Sequence, residues 1–292
     1  MTKIGFIGVG IMGESMVYNL MKAGFELHIY ARNKAKVEDV IAAGAVFHDS
    51  IKSCVAEQDA VITMVGYPKD VEEVYFDEGN IIDSAKPGAY LIDMTTTSPL
   101  LSQKIYEEGE KRGLRTLDAP VTGGDLGAKS GTLSIFVGGD KGYFEDCLPI
   151  FEAMGSNVNY QGKTGSGQHC KMVNQIMVAG TLSGICEALS YAKSKELDLA
   201  AVIRAVSVGS AASKQLDTYG AKILAQDYAP GFFLKHFVKD MKLALTEANM
   251  SGLSLEMLSQ VLAIFEELEA DGYGDLGSQA LMKYYERGEE VC

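Results

Sequence analysis

The chain has 292 residues, of which 47% are hydrophobic and 22% charged, and its formal net charge is −13. This length is enough for about two domains with apolar cores, and the composition argues against a disordered chain. The acidic balance argues against nucleic acid or an anionic membrane surface as a partner, while local lysines can still bind anionic ligands.

The first part of the chain alternates patterns typical of strands and of helices. Apolar runs predict strands at residues 3–7, 26–30, 60–65, 89–93, 115–119, 133–137 and 157–160. Helical patterns lie between them, for example at 34–43 and at 99–112, where Ser98 is the expected N-cap and Pro99 stands at the first helical position. This alternation predicts a doubly wound parallel sheet.

Beyond Gly167 the strand patterns end and helical patterns take over. From Gln168 to Lys195 apolar residues recur at helical spacing without a proline, which predicts a helix of roughly 28 residues and about 42 Å. Further helices are predicted at residues 198–206, 237–250 and 255–271. We therefore expect an α/β protein: a Rossmann-type doubly wound sheet in residues 1–163, joined by a long helix to an all-α domain in residues 164–292.

The cysteines and the hydropathy pattern bear on location. The five cysteines contain no Cys-x-x-Cys pair, and their odd number argues against a disulfide framework. The first apolar run is interrupted by glycines and Glu14, unlike a signal peptide, and no stretch approaches 18 uncharged apolar residues. We expect a cytoplasmic protein without a membrane partner.

A glycine-rich turn follows the first predicted strand. Gly8, Gly10 and Gly13 form a Gly-x-Gly-x-x-Gly pattern, completed by Ile11 and Met12, and open a predicted helix. In such a turn the first glycine permits the bend, the second lets the backbone approach a pyrophosphate, and the third lets helix and strand pack closely. The alternative is a loop that only turns the chain. Its place between strand and helix favours a dinucleotide site.

The end of the second strand bears on which dinucleotide is bound. An acid that binds the adenosine ribose is expected there, but Ala31 follows Tyr30, and Arg32 and Asn33 come next. A guanidinium suits a 2′-phosphate, which favours NADP over NAD and leaves NAD open. The alternative is that Arg32 only solvates the start of a helix.

Three further motifs carry a family resemblance. They lie at residues 118–124 (DAPVTGG), at residues 167–174 (GQHCKMVN), and at residues 230–232 (PGF) together with 239–241 (KDM). With the N-terminal glycines, they resemble the β-hydroxyacid dehydrogenase family in the same order along essentially the whole chain. Residues 230–240 are most similar to the branch of glyoxylate and succinic semialdehyde reductases.

The resemblance implies roles in catalysis and substrate binding. Lys171 is implied as the catalytic lysine, with Asn174 positioning the substrate and the lysine. The substrate carboxylate is expected at Thr122, Gly123 and Gly124, and Phe232 and Asp240 are expected to line the site. Where the family usually has serine, this chain has Thr122, whose extra methyl group puts the substrate in doubt.

The resemblance also implies a cofactor site. Besides the glycine-rich turn, its expected residues are Arg32, Asn33, Val65, Thr96 at the nicotinamide end, and Lys239. Val65 opens a loop near the cofactor, whose next residue is Gly66 where many members have leucine or a polar residue. This departure, too, leaves the substrate open.

The residues themselves allow acid–base chemistry at Lys171. Reduction of an aldehyde creates an alkoxide that needs a proton, and hydroxyl oxidation needs a base. Burial and the positive end of the helix dipole favour neutral lysine, and Asn174 shares its face at i+3. A lone lysine in the first turns of a helix is most often a surface lysine, but the spacing from Gly167, Asn174 and the other motifs together favour the catalytic role. His169 faces away from it, and Cys170 is expected to pack rather than react. No histidine shows metal-ligand spacing, so we expect no metal.

These observations predict an NADP-dependent oxidoreductase that reduces a small carboxylate-bearing aldehyde (succinic semialdehyde, glyoxylate or similar) to the hydroxyacid, or runs in reverse. One alternative is an NAD-dependent 3-hydroxyisobutyrate or other 3-hydroxyacid dehydrogenase. An alternative of another class is a non-catalytic NADP-binding sensor or scaffold. Imine reduction is disfavoured because such relatives generally lack the lysine. The resemblance implies a homodimer or homotetramer.

Overall fold

A computed structural model describes residues 1–287 and divides the chain into two compact units. The first unit is Met1–Lys171, and the second begins at Met172. The division falls inside a long helix, a few residues beyond the boundary predicted between residues 163 and 164. The first turns of that helix belong to the first unit, because their polar groups bond to its sheet.

The first unit contains one sheet, of order β3-β2-β1-β4-β5-β6-β8-β7, with β9 paired to β8. Its strands are β1 (Lys3–Ile7), β2 (Glu26–Tyr30), β3 (Val46–Phe47), β4 (Ala60–Thr63), β5 (Tyr90–Asp93), β6 (Arg115–Asp118), β7 (Val121–Thr122), β8 (Leu133–Gly139) and β9 (Gly155–Gly162). The pairs from β3 to β6 are parallel, as predicted. Strand β8 runs antiparallel to β6 and β7, because the chain returns through a short helix instead of a full crossover.

Helices cover both faces of this sheet. They are α1 (Ile11–Lys22), α2 (Glu38–Ala42), α3 (Ile51–Val55), α4 (Pro68–Phe76), α5 (Ile81–Ser84), α6 (Pro99–Glu110), α7 (Gly124–Ser130) and α8 (Lys141–Met154). Successive residues of a strand point to opposite faces, so Ala60 and Ile62 of β4 join one apolar cluster and Val61 joins another. Burial on both faces explains the continuous apolar runs of these strands.

The second unit is helical. It holds most of α9 (Ser166–Ser194), followed by α10 (Leu199–Val206), α11 (Lys214–Leu224), α12 (Leu234–Met250), α13 (Glu256–Ala270) and α14 (Met282–Glu286). Its apolar core includes Leu182 of α9, Phe237 of α12 and Phe265 of α13. The predicted fold class, a Rossmann-type unit followed by an all-α unit, is confirmed.

Helix α9 is apolar as well as long. By length and composition it also meets the criteria for a membrane-spanning helix, with a mean hydropathy of 1.2 over its most apolar 18-residue window. Leu182, Cys186 and Leu189 nevertheless pack into the core of the second unit. Burial in that core accounts for part of the apolar character of the helix, since 33% of this window is buried.

Leucines on different helices of this protein differ in burial, which predicts a difference in stability. Leu182→Ala should lower the free energy of unfolding by about 2–5 kcal/mol, because Leu182 is fully buried. Leu100→Ala on α6 is the matched control: the same substitution removes a side chain that is 57% exposed, so we expect a change within about 0.5 kcal/mol. Urea denaturation followed by circular dichroism measures both. Equal losses in the two variants would contradict the assignment of Leu182 to the core.

Candidate active site

The turn from β1 into α1 requires glycine for steric reasons. Gly8 has a φ of +98°, and a Cβ there would lie 2.3 Å from the carbonyl oxygen of Met64. A Cβ at Gly13 would lie 2.1 Å from the carbonyl oxygen of Gly8. At Gly10 a Cβ would meet nothing within 4 Å, and no side chain caps the start of α1. The turn therefore leaves open space beside exposed backbone, which fits the pyrophosphate of a dinucleotide.

The residues after β2 lie at the surface. The Nη1 atom of Arg32 lies 3.3 Å from Oδ1 of Asp70, near the start of α4, and the Arg32 side chain is 79% exposed. Asn33 is exposed, and its Oδ1 accepts a hydrogen bond from the Ala35 backbone N–H at 3.0 Å, which starts a 3-10 turn. Arg32 thus presents an exposed guanidinium, while the side-chain oxygen of Asn33 shapes the turn.

The carboxyl ends of β4 and β5 are joined by hydrogen bonds. The Val65 N–H donates to Oγ1 of Thr95 at 3.0 Å, and the Thr95 N–H donates to Oδ1 of Asp93 at 3.1 Å. Thr63 also donates to Oδ1 of Asp93, at 2.7 Å. These bonds place Val65 and the half-buried Thr96 at the sheet edge where ligands bind in doubly wound folds.

The carboxylate of Asp118, at the end of β6, holds the start of α9. Its Oδ1 accepts from the Gly165 N–H at 2.8 Å, and its Oδ2 accepts from the Gln168 N–H at 2.9 Å. A Cβ at Gly167 would lie 2.4 Å from the carbonyl oxygen of Phe136, so glycine permits this close approach. The helix start is therefore anchored directly to the sheet.

Two buried side chains of α9 reach neighbouring loops of the first unit. Gln168 is fully buried; its Oε1 accepts from the Thr97 N–H at 3.0 Å, and its Nε2 donates to the carbonyl oxygen of Thr95 at 2.8 Å. Lys171 is 5% exposed, and its Nζ donates to the carbonyl oxygen of Val121 at 2.9 Å. Val121 directly precedes Thr122. The structure thus brings Lys171 to the loop that the sequence indicated for substrate.

The second unit holds the remaining predicted residues. Nδ2 of Asn174 donates to Oε1 of Gln175 at 2.7 Å, and Nε2 of Gln175 donates to Oδ2 of Asp240 at 2.7 Å. Nζ of Lys239 lies 2.9 Å from Oδ1 of Asp240, and both side chains are largely buried. Asn174, Lys239 and Asp240 therefore share one polar network. Phe232 instead packs against the ring of Phe237, with centroids 5.7 Å apart.

Burial changes the acidity of several groups. Burial raises the pKa of Asp93 to about 6, although hydrogen bonds from Thr63 and Thr95 oppose the shift. Burial also raises the pKa of Asp118, against the effect of its backbone donors. Burial raises the pKa of the Cys170 thiol, the opposite of what an activated nucleophile needs. His169 is exposed. Lys171 is thus the buried acid–base candidate in this part of α9.

Sequence reasoning missed three residues of this arrangement. No role was predicted for Gln168 or Gln175, and Asp118 was recognised only as the first residue of the motif at 118–124. Their signal was available, because Gln168, Lys171 and Gln175 follow one another at spacings of three and four and so share one face of a helix. Within residues 1–287, no group of three or more histidine, cysteine or acidic side chains could hold a metal ion.

Comparison with known sequences shows the family of this chain. The family described as the NAD binding domain of 6-phosphogluconate dehydrogenase matches residues 3–162. The family described as the NAD-binding region of NADP-dependent 3-hydroxyisobutyrate dehydrogenase matches residues 165–285. The chain belongs to the β-hydroxyacid dehydrogenase family. This β-hydroxyacid dehydrogenase is an NAD(P)-dependent oxidoreductase.

Individual relatives match over nearly full length. An uncharacterized oxidoreductase of Bacillus subtilis, YkwC, is 46% identical over 97% of this chain and 98% of its own. The 2-hydroxy-3-oxopropionate reductase of Escherichia coli is 35% identical over 97% of each chain. The structure of Mycobacterium tuberculosis 3-hydroxyisobutyrate dehydrogenase with L-serine superposes with a TM-score of 0.88 at 28% identity, covering 97% of this chain and 98% of that one.

The buried carboxyl group of Asp93 predicts how the stability of this β-hydroxyacid dehydrogenase depends on pH. Its folded-state pKa is raised, so the stability gained from its proton is complete below about pH 4 and is lost as pH rises through about 6. Asp93→Asn keeps an acceptor for Thr63 and Thr95 but carries no charge. Its advantage in unfolding free energy over wild type should grow between pH 4 and 7, to roughly 1–3 kcal/mol.

Chemical denaturation at a series of pH values measures this difference. Glu78→Gln removes the same charge from an exposed side chain and controls for net charge. A constant difference between Asp93→Asn and wild type over this range would show that Asp93 carries no such cost.

Proposed function

We propose that this protein is an NADP-dependent oxidoreductase that interconverts a small carboxylate-bearing aldehyde, such as succinic semialdehyde or glyoxylate, and its hydroxyacid. The observation that carries the proposal is the buried Lys171, whose Nζ lies 2.9 Å from the carbonyl oxygen of Val121, beside Thr122. Lysine side chains are rarely buried to this extent. Its position beside the predicted substrate loop supports a role in proton transfer to the substrate.

The proposed roles follow from the side chains. When bound, the nicotinamide supplies or accepts the hydride. Lys171 holds a proton at Nζ and donates it to the alkoxide oxygen in reduction, or takes the hydroxyl proton in oxidation. The Thr122 hydroxyl and the backbone amides of Gly123 and Gly124 bind the substrate carboxylate. Asn174 helps to position substrate and lysine.

The proposed cofactor preference depends on Arg32. Ala31 occupies the position where an acid would bind an unphosphorylated ribose, and the exposed guanidinium of Arg32, the next residue, can bind a 2′-phosphate through two parallel hydrogen bonds. Gly8, Gly10, Gly13 and the backbone of Ile11 and Met12 bind the pyrophosphate in this proposal. The remaining cofactor contacts are proposed at Asn33, Val65, Thr96 and Lys239.

A second candidate is a 3-hydroxyacid dehydrogenase that uses NAD. The M. tuberculosis relative, named a 3-hydroxyisobutyrate dehydrogenase, was solved with L-serine, itself a 3-hydroxyacid. In this chain Asp70 already pairs with Arg32, which offsets part of the charge available to a 2′-phosphate. The substrate and cofactor assays below distinguish the two candidates.

We also propose a homodimer or homotetramer, formed through the second unit. Several large apolar side chains of this unit are exposed in the single chain: Val173, Met177, Tyr191, Met250, Leu253 and Met257. Helix α10 contributes no fully buried residue, although it has a strongly apolar face. Apolar surface of this kind favours association with another copy.

The enzyme proposal predicts turnover that depends on Lys171. With NADPH, purified protein should oxidise cofactor in the presence of at least one aldehyde from a panel of small semialdehyde acids. Lys171→Ala should lower kcat by about 100- to 10,000-fold, because the proton donor is lost. Cofactor binding, measured by NADPH fluorescence, should remain close to wild type.

Lys141→Ala is the control, because Lys141 is an exposed lysine that pairs with Glu145 on α8. A sensor or scaffold would be favoured if the protein bound cofactor but turned over no aldehyde of the panel and did not oxidise 3-hydroxyisobutyrate or L-serine with NAD. Full turnover by Lys171→Ala would remove the lysine from the proposed mechanism.

The cofactor proposal predicts a change in preference at Arg32. Arg32→Ala should raise the KM for NADPH by about 10- to 100-fold and leave the KM for NADH nearly unchanged, because hydrogen bonds to a charged group contribute about 1.5–3 kcal/mol. Steady-state kinetics with both cofactors and one aldehyde measures the ratio. Lys36→Ala, which removes an exposed charge close by, is the control. An equal effect on both cofactors would contradict a contact with the 2′-phosphate.

A further inference from the structure

Gln168 uses both ends of a fully buried amide on one short segment. Its Oε1 accepts from the backbone N–H of Thr97, and its Nε2 donates to the backbone carbonyl of Thr95, at 3.0 and 2.8 Å. A side chain bonded in this way to two backbone groups fixes the conformation of the intervening segment, residues 95–97. Thr96 lies in the middle of it.

The backbone of Gln168 is held as firmly as its side chain. Its N–H donates to the carboxylate of Asp118, which also accepts from Gly165. Lys171 follows one helical turn later, on the same face of α9, and its Nζ reaches the carbonyl oxygen of Val121. The first turns of α9 therefore contact Asp118, Val121 and segment 95–97, all at the carboxyl ends of the strands. Gln168 links segment 95–97 to the helix turn that carries Lys171.

We propose that Gln168 is a positioning residue, which holds segment 95–97 in register with the Nζ atom of Lys171. The inference rests on the proposed function, in which Thr96 contacts the nicotinamide end and Lys171 transfers the proton. Proton transfer and hydride transfer must occur at one carbon–oxygen group of the substrate. The Nζ atom of Lys171 and segment 95–97 must therefore be held at a fixed separation. A displacement of about 1 Å in such an arrangement can lower the rate by about 100-fold.

The geometry also explains why glutamine, and not an acid, fits this position. Segment 95–97 presents a donor at Thr97 and an acceptor at Thr95, and a neutral amide of this length complements both. A protonated glutamic acid has the same pair of groups, a donor O–H and an acceptor oxygen. An ionised glutamate has only acceptors and would face the Thr95 carbonyl with the wrong charge.

Two variants test the proposal by kinetics. Gln168→Leu removes both bonds and should lower kcat by about 10- to 100-fold, while the KM values for NADPH and aldehyde change by less than about threefold. Gln168→Glu should have a kcat close to wild type at acid pH, where the side chain is protonated, and a falling ratio to wild type as pH rises. A merely structural role predicts lower stability in both variants but no pH-dependent change in this kcat ratio.

Gln58→Leu is the matched control, because Gln58 is a glutamine of the same unit, 2% exposed, which precedes β4 at the opposite edge of the sheet. It should change stability but not the kcat ratio. Assays are run well below the melting temperature of each variant, so that loss of folded protein is not read as loss of kcat.

Amide hydrogen exchange gives a readout that does not depend on turnover. The Thr97 amide should exchange faster in Gln168→Leu than in wild type, and at the wild-type rate in Gln58→Leu. Unchanged Thr97 exchange, or a wild-type kcat in Gln168→Leu with active wild-type enzyme, would overturn the inference. An inactive wild-type protein with faster Thr97 exchange in Gln168→Leu would overturn the proposed function instead, and would leave the hold of Gln168 on segment 95–97 supported.

Discussion

The contact between Asp118 and the start of α9 is the constraint on which the part of this site in the first unit depends. A buried carboxylate is costly, and here the cost is offset by two backbone N–H groups of the helix start, from Gly165 and Gln168. Because a helix is stiff, anchoring its first turn also determines where Gln168 and Lys171 lie within the first unit.

One face of α9 carries buried polar side chains near its start, which is unusual in a helix that otherwise supplies an apolar core. Gln168, Lys171 and Gln175 each end on a defined partner: the backbone of segment 95–97, the carbonyl oxygen of Val121, and Asp240. Leu182 and Leu189, further along, contribute to the core instead. Buried polar groups are tolerated where they are hydrogen-bonded, and each of these three has a partner.

The two ends of the proposed cofactor site are built differently. At the glycine-rich turn only glycine fits at positions 8 and 13, because a Cβ there would lie 2.1–2.3 Å from a backbone oxygen. The shape of the backbone therefore determines this end of the site. At the ribose end, the proposed preference for NADP depends on one exposed guanidinium, which pairs with Asp70. A backbone cradle is shared by NAD and NADP, whereas an exposed side chain can change without disturbing the fold. Cofactor choice in this architecture therefore depends on few residues.

Much of this protein could be predicted from its sequence. The strands β1 and β2 and the helices α6, α9 and α13 lie close to their predicted positions, because apolar periodicity and capping residues are local signals. The motifs around Gly8, Thr122 and Lys171 also identified the family. The antiparallel strand β8 and the assignment of residues 164–171 to the first unit were not predicted, nor were the roles of Asp118 and Gln168. The direction of β8 depends on its pairing with β6 and β7. The other three depend on hydrogen bonds between residues 47–73 positions apart, and only the folded chain decides which buried polar groups become partners.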